Sequence, residues 1–462
     1  MPAEHFDAIV IGAGQAGVPL STALANSGRK TALIEREHVG GTCVNEGCTP
    51  TKTMVASARV AYLARRAADY GVEIPAPGID MTVVRKRKRD IVDSFRSGNE
   101  GRVKAADGLD LVMGEARFTG HKTIEIRVQD GMTRQLTAEH FFINAGNRPA
   151  PPRLENPDNV EILNSTTIME LDTVPNHLIV IGGGYVGVEF GQMFRRFGSA
   201  VTIIQHGDQL LNREDADVAG AVASILKEDG IELLFKSEAQ SVRRDGDELA
   251  LTVSTPNGVR ELRGDRILAA AGRIPNTDSL NLEATGVATD KRGYVPTNDQ
   301  LETNVAGIYA LGDIRGQAAF THISYDDFRI IGTNLIEGGN ATIDGRLVPY
   351  TIYMDPQLGR VGLTENEARN QGRAIRVAQM PMSNVARALE VDETRGLMKV
   401  VVDAETEQIL GCAILGIEGG EIMTMIQIAM MGKLPYPALR EAVFAHPTLA
   451  ESLNNLFYAF RE

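Results

Sequence analysis

Short, unbroken β-branched runs alternate along the chain with stretches whose apolar residues recur at helical spacing, and the combination repeats as a block. Residues Asp7–Arg36 read DAIVIGAGQAGVPLSTALANSGRKTALIER, and His177–His206 read HLIVIGGGYVGVEFGQMFRRFGSAVTIIQH. Each block opens on an apolar run without alternation, which predicts a strand buried on both faces of a parallel sheet. Glycines follow, then a helical stretch, then a second strand over Thr31–Glu35 or Val201–Gln205. Gly12, Gly14 and Gly17 align with Gly182, Gly184 and Gly187, and Gly28 aligns with Gly198. Each block is thus predicted to be a βαβ unit with G-x-G-x-x-G at its strand-to-helix turn, a dinucleotide fingerprint.

The glycines have a local physical purpose. A helix N-terminus offers unpaired N–H groups and the positive end of its dipole, and a pyrophosphate reaches them only where no Cβ intervenes. An acid ending the second strand then accepts hydrogen bonds from a ribose. Glu35 holds that position in the first block, whereas the second has Gln205. Two fingerprints in one chain point to relay chemistry between a resident and an exchanging nucleotide. A third segment, Thr303–Asp313 (TNVAGIYALGD), is β-rich and ends in Gly312-Asp313. An acid at a strand's C-terminal end faces the ligand crevice of an α/β domain; an ordinary turn aspartate is the plainer alternative.

Composition narrows the class. At roughly 150 residues per domain, 462 residues predict about three domains. A net charge of −13 argues against general binding to phosphate backbones. Three cysteines are too few for a secreted disulfide scaffold, and no apolar run is long enough to span a bilayer. The opening MPAEHFDAIVIGAG lacks a basic n-region, so no signal peptide is expected, and a cytoplasmic protein is. The basic run Arg85–Arg89 is expected to be a solvated helix face, Cys412 an inert core thiol, and Ile422–Met431 a buried or interface helix.

Cys43 and Cys48 lie in GGTCVNEGCTPTK, residues 40–52. No second cysteine pair or histidine cluster completes a zinc site, and no resident metal is expected. In a regular helix, positions five apart have Cα atoms about 8–9 Å apart, whereas a disulfide needs less than about 7 Å. A pair of this spacing therefore requires an interrupted helix, which Gly47 and Pro50 permit. Cys48 then stands near a helix N-terminus, where the dipole favours a thiolate. Two inert thiols are the alternative.

This segment resembles the active-site segment of the pyridine nucleotide–disulfide oxidoreductases, the family of dihydrolipoamide dehydrogenase, glutathione reductase and mercuric reductase. Both fingerprints, Gly312-Asp313 and the C-terminal AHPTLAE (Ala445–Glu451) extend the resemblance over nearly the whole chain. It implies an α/β fold with two Rossmann-like dinucleotide-binding domains and a C-terminal α+β dimerisation domain. The implied layout is an FAD-binding domain over 1–150 and an NAD(P)-binding domain over 151–270. A central region over 271–340 returns to the FAD domain, and an interface domain over 341–462 begins near Val348–Tyr350.

The resemblance implies FAD on the first block and NADPH or NADH on the second, with a redox-active Cys43–Cys48 disulfide. Cys48 corresponds to the flavin-facing charge-transfer thiol and Cys43 to the interchange thiol. Lys52 corresponds to the lysine beside the reactive flavin nitrogen and Glu189 to the acid near the nicotinamide. Thr42 and Gly272 join the cofactor-binding set with the fingerprint glycines, Glu35, Gln205, Gly312 and Asp313. His446 and Glu451 correspond to the acid–base pair, which in the family serves the partner subunit's cysteines, so a homodimer with shared active sites is expected. The stretch Ile422–Leu434 is the candidate for part of the interface.

Three features bear on the branch. The sequence closes on NNLFYAFRE, so the C-terminal cysteine pair and the N-terminal metal-binding domain of mercuric reductases are not expected here. His446 favours thiol–disulfide work. Phe320–Ile330, FTHISYDDFRI, resembles the reactive-chlorine-resistance flavoproteins more than the lipoamide enzymes. An NAD(P)H oxidoreductase of metal or oxidant defence is the leading expectation. Dihydrolipoamide dehydrogenase and a flavin-binding redox sensor without turnover are the alternatives. Gln205 does not repel a 2′-phosphate, no Arg stands at 205 or 206, and His206 and Arg213 are the nearest candidate contacts. Gly187 leans toward NAD, and both nicotinamides are expected to be used, with NADPH slightly favoured.

Overall fold

The computed structural model describes residues 3–128 and 131–460. The chain forms two compact units. One gathers the residues up to Thr53 with Val83–Ala150 and Arg273–Arg346; the other gathers Met54–Thr82, Pro151–Gly272 and the residues from Leu347 onward.

The first unit is built on a six-stranded sheet. Strand Glu4–Ile11 lies between Thr31–Glu35 and Thr133–Ile143, parallel to both, with Ile9 opposite Ala32 and Phe141. Leu109–Gly120 extends the parallel sheet beside Thr31–Glu35, and Ile308–Ala310 extends it beside Thr133–Ile143. The short strand Thr123–Val128 bridges the two long strands antiparallel. The apolar runs are unbroken because both sheet faces are covered. Ile9, Ile11, Phe141 and Ile143 enter one core with Phe118 and Ile126, while Val10, Leu33 and Phe142 enter another with Leu20, Leu24 and Ile331. Helix Gly17–Asn26 starts at the first fingerprint, and helix Thr321–Leu335 packs on the same side.

In the second unit the second βαβ block forms a parallel sheet in the order Arg266–Ala269, His177–Ile181, Ala200–Ile204, Glu232–Leu234. A three-stranded antiparallel sheet, Glu238–Asp245, Glu248–Thr255 and Gly258–Gly264, adjoins it. The C-terminal part is α+β. Five antiparallel strands run in the order Tyr350–Ile352, Gln357–Gly362, Ile409–Gly416, Leu397–Asp403, Ile375–Pro381, backed by helices Gly419–Met431 and Ser452–Tyr458. The expected architecture of two Rossmann-like domains and a C-terminal α+β domain is present. Cys412 is buried on the strand Ile409–Gly416, and burial pushes its thiol up to about 12.

Arg85–Arg89 lies in helix Met81–Ala105 but is not wholly the solvated face expected: Lys88 is buried, and Arg87 Nη1 donates to the Thr53 carbonyl at 2.8 Å. A helix on a protein surface turns one residue in every three or four inward, so a run of five charges cannot all face water.

Within each block the fingerprint closes in the same way. Gly12 and Gly182 take φ of +102° and +114°, and their N–H groups donate to Ile34 and Ile204 carbonyls, each at 2.8 Å. A Cβ on Gly17 would lie 2.0 Å from the Gly12 carbonyl oxygen, and one on Gly187 1.9 Å from that of Gly182. We therefore expect Gly17→Ala or Gly187→Ala to destabilise the protein by about 1–3 kcal/mol, the usual cost of forcing atoms into packed space. Gly220, inside helix Ala216–Glu228, has open space around its Cβ position, so Gly220→Ala should be stabilising by about 0.4–1 kcal/mol. Urea titration of the three variants checks the opposite signs.

Candidate active site

Helix Gly41–Asn45 carries Thr42 and Cys43, breaks at Glu46 and Gly47, and restarts as helix Cys48–Arg65. A Cβ on Gly47 would lie 2.9 Å from the Thr42 carbonyl oxygen, so the break depends on glycine. The interruption replaces the rigid five-residue helical spacing and brings the two sulfurs into hydrogen-bonding contact. Both stand as thiols, Cys48 exposed and Cys43 half-buried. The contact with Cys48, together with burial, pushes the Cys43 thiol well above the usual range; the Thr321 hydroxyl and the Lys52 ammonium oppose the shift. Thr321 Oγ1 also lies 3.3 Å from Cys48 Sγ.

The cysteine turn is docked on the first fingerprint. Gly40 N–H donates to the Ala13 carbonyl at 2.8 Å, and Gln15 Nε2 donates to the Gly40 carbonyl at 3.1 Å. A Cβ on Gly41 would lie 2.6 Å from the Gly14 Cα. Beside it Asn144, the residue after strand Thr133–Ile143, donates Nδ2 to the Gly12 carbonyl at 3.0 Å. Glu35 accepts the Ala13 and Glu37 N–H groups, each at 2.8 Å. The Asp313 carboxyl sits in the short 3₁₀ turn Gly312–Arg315; burial pushes it up to about 6, against the pull of the Arg273 guanidinium. Arg273 is itself held by Asn147, through Nε to Oδ1 at 2.5 Å and Nη2 to the carbonyl at 2.9 Å.

A dinucleotide fits these residues. The turn is pared to glycine where backbone must approach backbone, the helix N-terminus follows it, and a desolvated carboxylate stands ready to accept hydroxyl hydrogen bonds. A cleft of about 620 Å³ opens beside Gly14 and Gln15, lined further by Thr22, Asn99, Arg102 and Tyr325.

The second fingerprint reproduces the pattern with one change. Gln205 accepts the Gly183 N–H at 3.0 Å, the position equivalent to the Ala13 contact of Glu35, and donates Nε2 to the Gln209 carbonyl at 2.9 Å. A Cβ on Gly184 would meet only open space, so the mouth of this turn is unobstructed. Glu189 is buried in helix Tyr185–Phe197 and accepts the Tyr353 N–H at 2.8 Å. Gly272 has φ of +138°.

His446 and Glu451 meet in the second unit, with Nδ1 2.8 Å from Oε2. A carboxylate only accepts, so Nδ1 carries the proton and Nε2 is presented outward. The imidazole is 67% exposed, and Val443 nearby is fully exposed. Helix Gly419–Met431 buries Ile422, Met423 and Ile426 but leaves Ile428 and Met431 64% and 68% exposed.

Sequence reasoning passed over Asn144, Arg273, Thr321 and Asp327. Asn144 had a readable signal, since it ends an apolar strand at the sheet's C-terminal edge. The other three acquire partners only through tertiary contacts.

A βαβ fingerprint carrying a docked dithiol turn, a second fingerprint and a histidine–carboxylate pair define a nucleotide-linked disulfide oxidoreductase. The pyridine nucleotide-disulphide oxidoreductase model matches residues 6–327 and the dimerisation domain of the same family matches 348–457, and the chain belongs to that family. It is 34% identical over 458 residues to the probable pyridine nucleotide-disulfide oxidoreductase RclA of Escherichia coli, covering 98% of this chain and 99% of that protein. It is also 34% identical over 450 residues to mercuric reductase of Bacillus cereus, covering 97% of this chain and 70% of that one. The solved Cu(II) complex of the HOCl-induced flavoprotein disulfide reductase RclA from E. coli superposes with a TM-score of 0.89 over 98% of this chain and 99% of that one. The chain is accordingly a flavoprotein disulfide reductase, and the family implies FAD and NAD(P)H.

Because Thr321 counteracts the rise of the Cys43 thiol, Thr321→Val should push that thiol higher still and lower its thiolate fraction at any given pH. One hydrogen bond, at about 0.5–1.5 kcal/mol, corresponds to roughly two- to tenfold slower alkylation of Cys43. Iodoacetamide labelling of the reduced protein across pH, read by peptide mass spectrometry, measures it.

Proposed function

We propose that this chain passes electrons from a nicotinamide at the second fingerprint, through FAD at the first, to the Cys43–Cys48 pair and on to a disulfide, metal-ion or oxidant-derived substrate. The observation that carries the reading is the docking of the cysteine turn on the first fingerprint. Bound at the first fingerprint, FAD would supply two-electron transfer between the nicotinamide and the cysteine pair. The protein's own groups do the rest. By position in the family's active-site segment, Cys48 faces the flavin and Cys43 is the thiol that meets the substrate. Lys52 supplies positive charge to the pair, and Thr42, Glu35, Gly312 and Asp313 hold the cofactor. Gly182, Gly184, Gly187, Glu189, Gln205 and Gly272 serve the nicotinamide. In each turnover the two thiols become a disulfide, releasing two electrons and two protons.

The substrate branch is supported by RclA, whose solved form holds Cu(II), and by the mercuric reductases. The retained His446–Glu451 pair keeps a second reading in play, since the chain is 32% identical over 449 residues to dihydrolipoyl dehydrogenase of Chlamydia pneumoniae. A panel of Cu(II), Hg(II), glutathione disulfide, quinones and dihydrolipoamide, each with both nicotinamides, decides. We expect turnover with metal ions to exceed that with dihydrolipoamide, and NADPH and NADH both to serve with NADPH slightly ahead. Fast dihydrolipoamide oxidation with NAD⁺ would move the chain to the second reading, and a hundredfold preference for NADH would refute the role given to the uncharged Gln205.

The FAD and NAD(P) domains are assigned to 1–150 with 271–340 and to 151–270, the interface domain to 341–462, and the protein to the cytoplasm. The matched dimerisation domain, exposed His446, Val443, Ile428 and Met431 support a homodimer in which His446 of one chain serves Cys43 of the other. Cys43→Ser and His446→Ala variants should each be inactive, and mixing them under subunit exchange should restore one working site per heterodimer. Verified heterodimers without recovered disulfide-reductase activity would rule out the shared site. Two-electron reduction of the parent should give a long-wavelength thiolate-to-flavin absorbance band, which Cys48→Ser should abolish and which Cys43→Ser should show already in the resting protein.

A further inference from the structure

Helix Thr321–Leu335 carries a fully buried carboxylate that the chemistry above does not use. Asp327 Oδ2 accepts the Gly312 N–H at 2.8 Å. Both of its oxygens lie 3.3 Å from Arg315 Nη1, and Oδ1 takes Arg346 Nη1 at 2.6 Å. Arg346 also reaches Asp326 at 3.2 Å, and Arg315 Nε donates to Thr297 Oγ1 at 3.1 Å. Gly312 and Arg315 are the first and last residues of the 3₁₀ turn, and Asp313 lies between them. One carboxylate therefore grips both ends of the turn that presents Asp313.

The grip is close. Gly312 has φ of +68°, and a Cβ there would lie 2.7 Å from Ser324 Oγ of the same helix. The helix also bears Thr321 against the cysteine sulfurs, and Asp327 lies six positions further along it, about 9 Å of rise. One rigid element thus references the redox pair at its start and the Asp313 turn at its middle. A buried carboxylate with two guanidinium partners is a poor choice if only stability is required, because well-packed apolar residues often serve as well. Its distinctive product is directional: it fixes where an N–H and a guanidinium sit.

We propose that Asp327 is a positioning residue for the flavin, acting through Asp313 by clamping the turn Gly312–Arg315, with Arg346 holding the clamp. The proposal rests on the reading of Asp313 as a flavin ligand. Flavin-stripped protein titrated with FAD, followed by flavin fluorescence, tests it as a cycle of Asp327→Asn, Asp313→Asn and the double variant. Asp327→Asn should weaken FAD binding at least tenfold in the parent and less than twofold in the Asp313→Asn background, with nicotinamide binding unchanged in both. Unchanged FAD affinity in Asp327→Asn, or an equal loss in both backgrounds, would overturn the proposal, the latter assigning Asp327 a general structural role. If Asp313→Asn itself binds FAD like the parent, the reading of Asp313 fails instead, and the proposal falls with it by a distinguishable route. Should Asp327→Asn not fold, Arg346→Gln, which removes one donor from the clamp, makes the same comparison, with an expected loss of about threefold confined to the parent background.

Discussion

The close approach of Gly40 and Gly41 to the first fingerprint turn is the constraint on which the redox site depends. Two hydrogen bonds and a glycine-to-glycine contact lay the cysteine segment directly on the phosphate-binding turn. A side chain at Gly41 would drive into the Gly14 backbone and separate them. The same glycine turn that opens the first helix therefore also sets where the thiols stand. The break in the helix at Glu46–Gly47 then solves a second geometric problem, by letting residues five apart touch. Neither feature works alone, because a docked but regular helix would hold the sulfurs apart.

The internal repeat shows how one backbone solution is tuned twice. In both blocks the side chain ending the second strand accepts an N–H from the middle residue of the fingerprint turn. Glu35 does so with a charged group that retains capacity for ribose hydroxyls. Gln205 does so with a neutral amide whose other end is committed to the Gln209 carbonyl. The architecture is preserved while the local charge changes.

Buried charge organises the second unit. Lys399, 3% exposed, meets Asp215, Asp217 and Glu365, and Arg360 pairs with Glu214, which also accepts from Tyr350. Asp355 is bound by Arg59 and Arg196. These pairs join the second Rossmann-like sheet's helices and loops to the C-terminal sheet. Desolvation consumes most of their Coulombic gain, so their value lies in geometry: breaking one partner leaves an uncompensated buried charge at about 3–5 kcal/mol. Glu189 belongs to the same seam, since its carboxylate is engaged by the Tyr353 backbone.

Local pattern alone determined a good deal about this protein. Unbroken β-branched runs, G-x-G-x-x-G at each strand-to-helix turn and the repeat of the whole block defined two Rossmann-like units, because these are consequences of backbone sterics and short-range burial. The Cys43–Cys48 spacing with Gly47 likewise foretold an interrupted helix from helix geometry. What only the tertiary structure decided is which distant groups meet: Thr321 at the sulfurs, Asn144 under Gly12, Asp327 at both ends of the Asp313 turn, and Lys88 turned inward from a basic run. Such contacts join segments far apart in the chain and depend on relative placement of elements, for which a residue's own neighbours in sequence carry no signal. A charged residue reads as solvent-facing until the fold supplies the partner that lets it be buried.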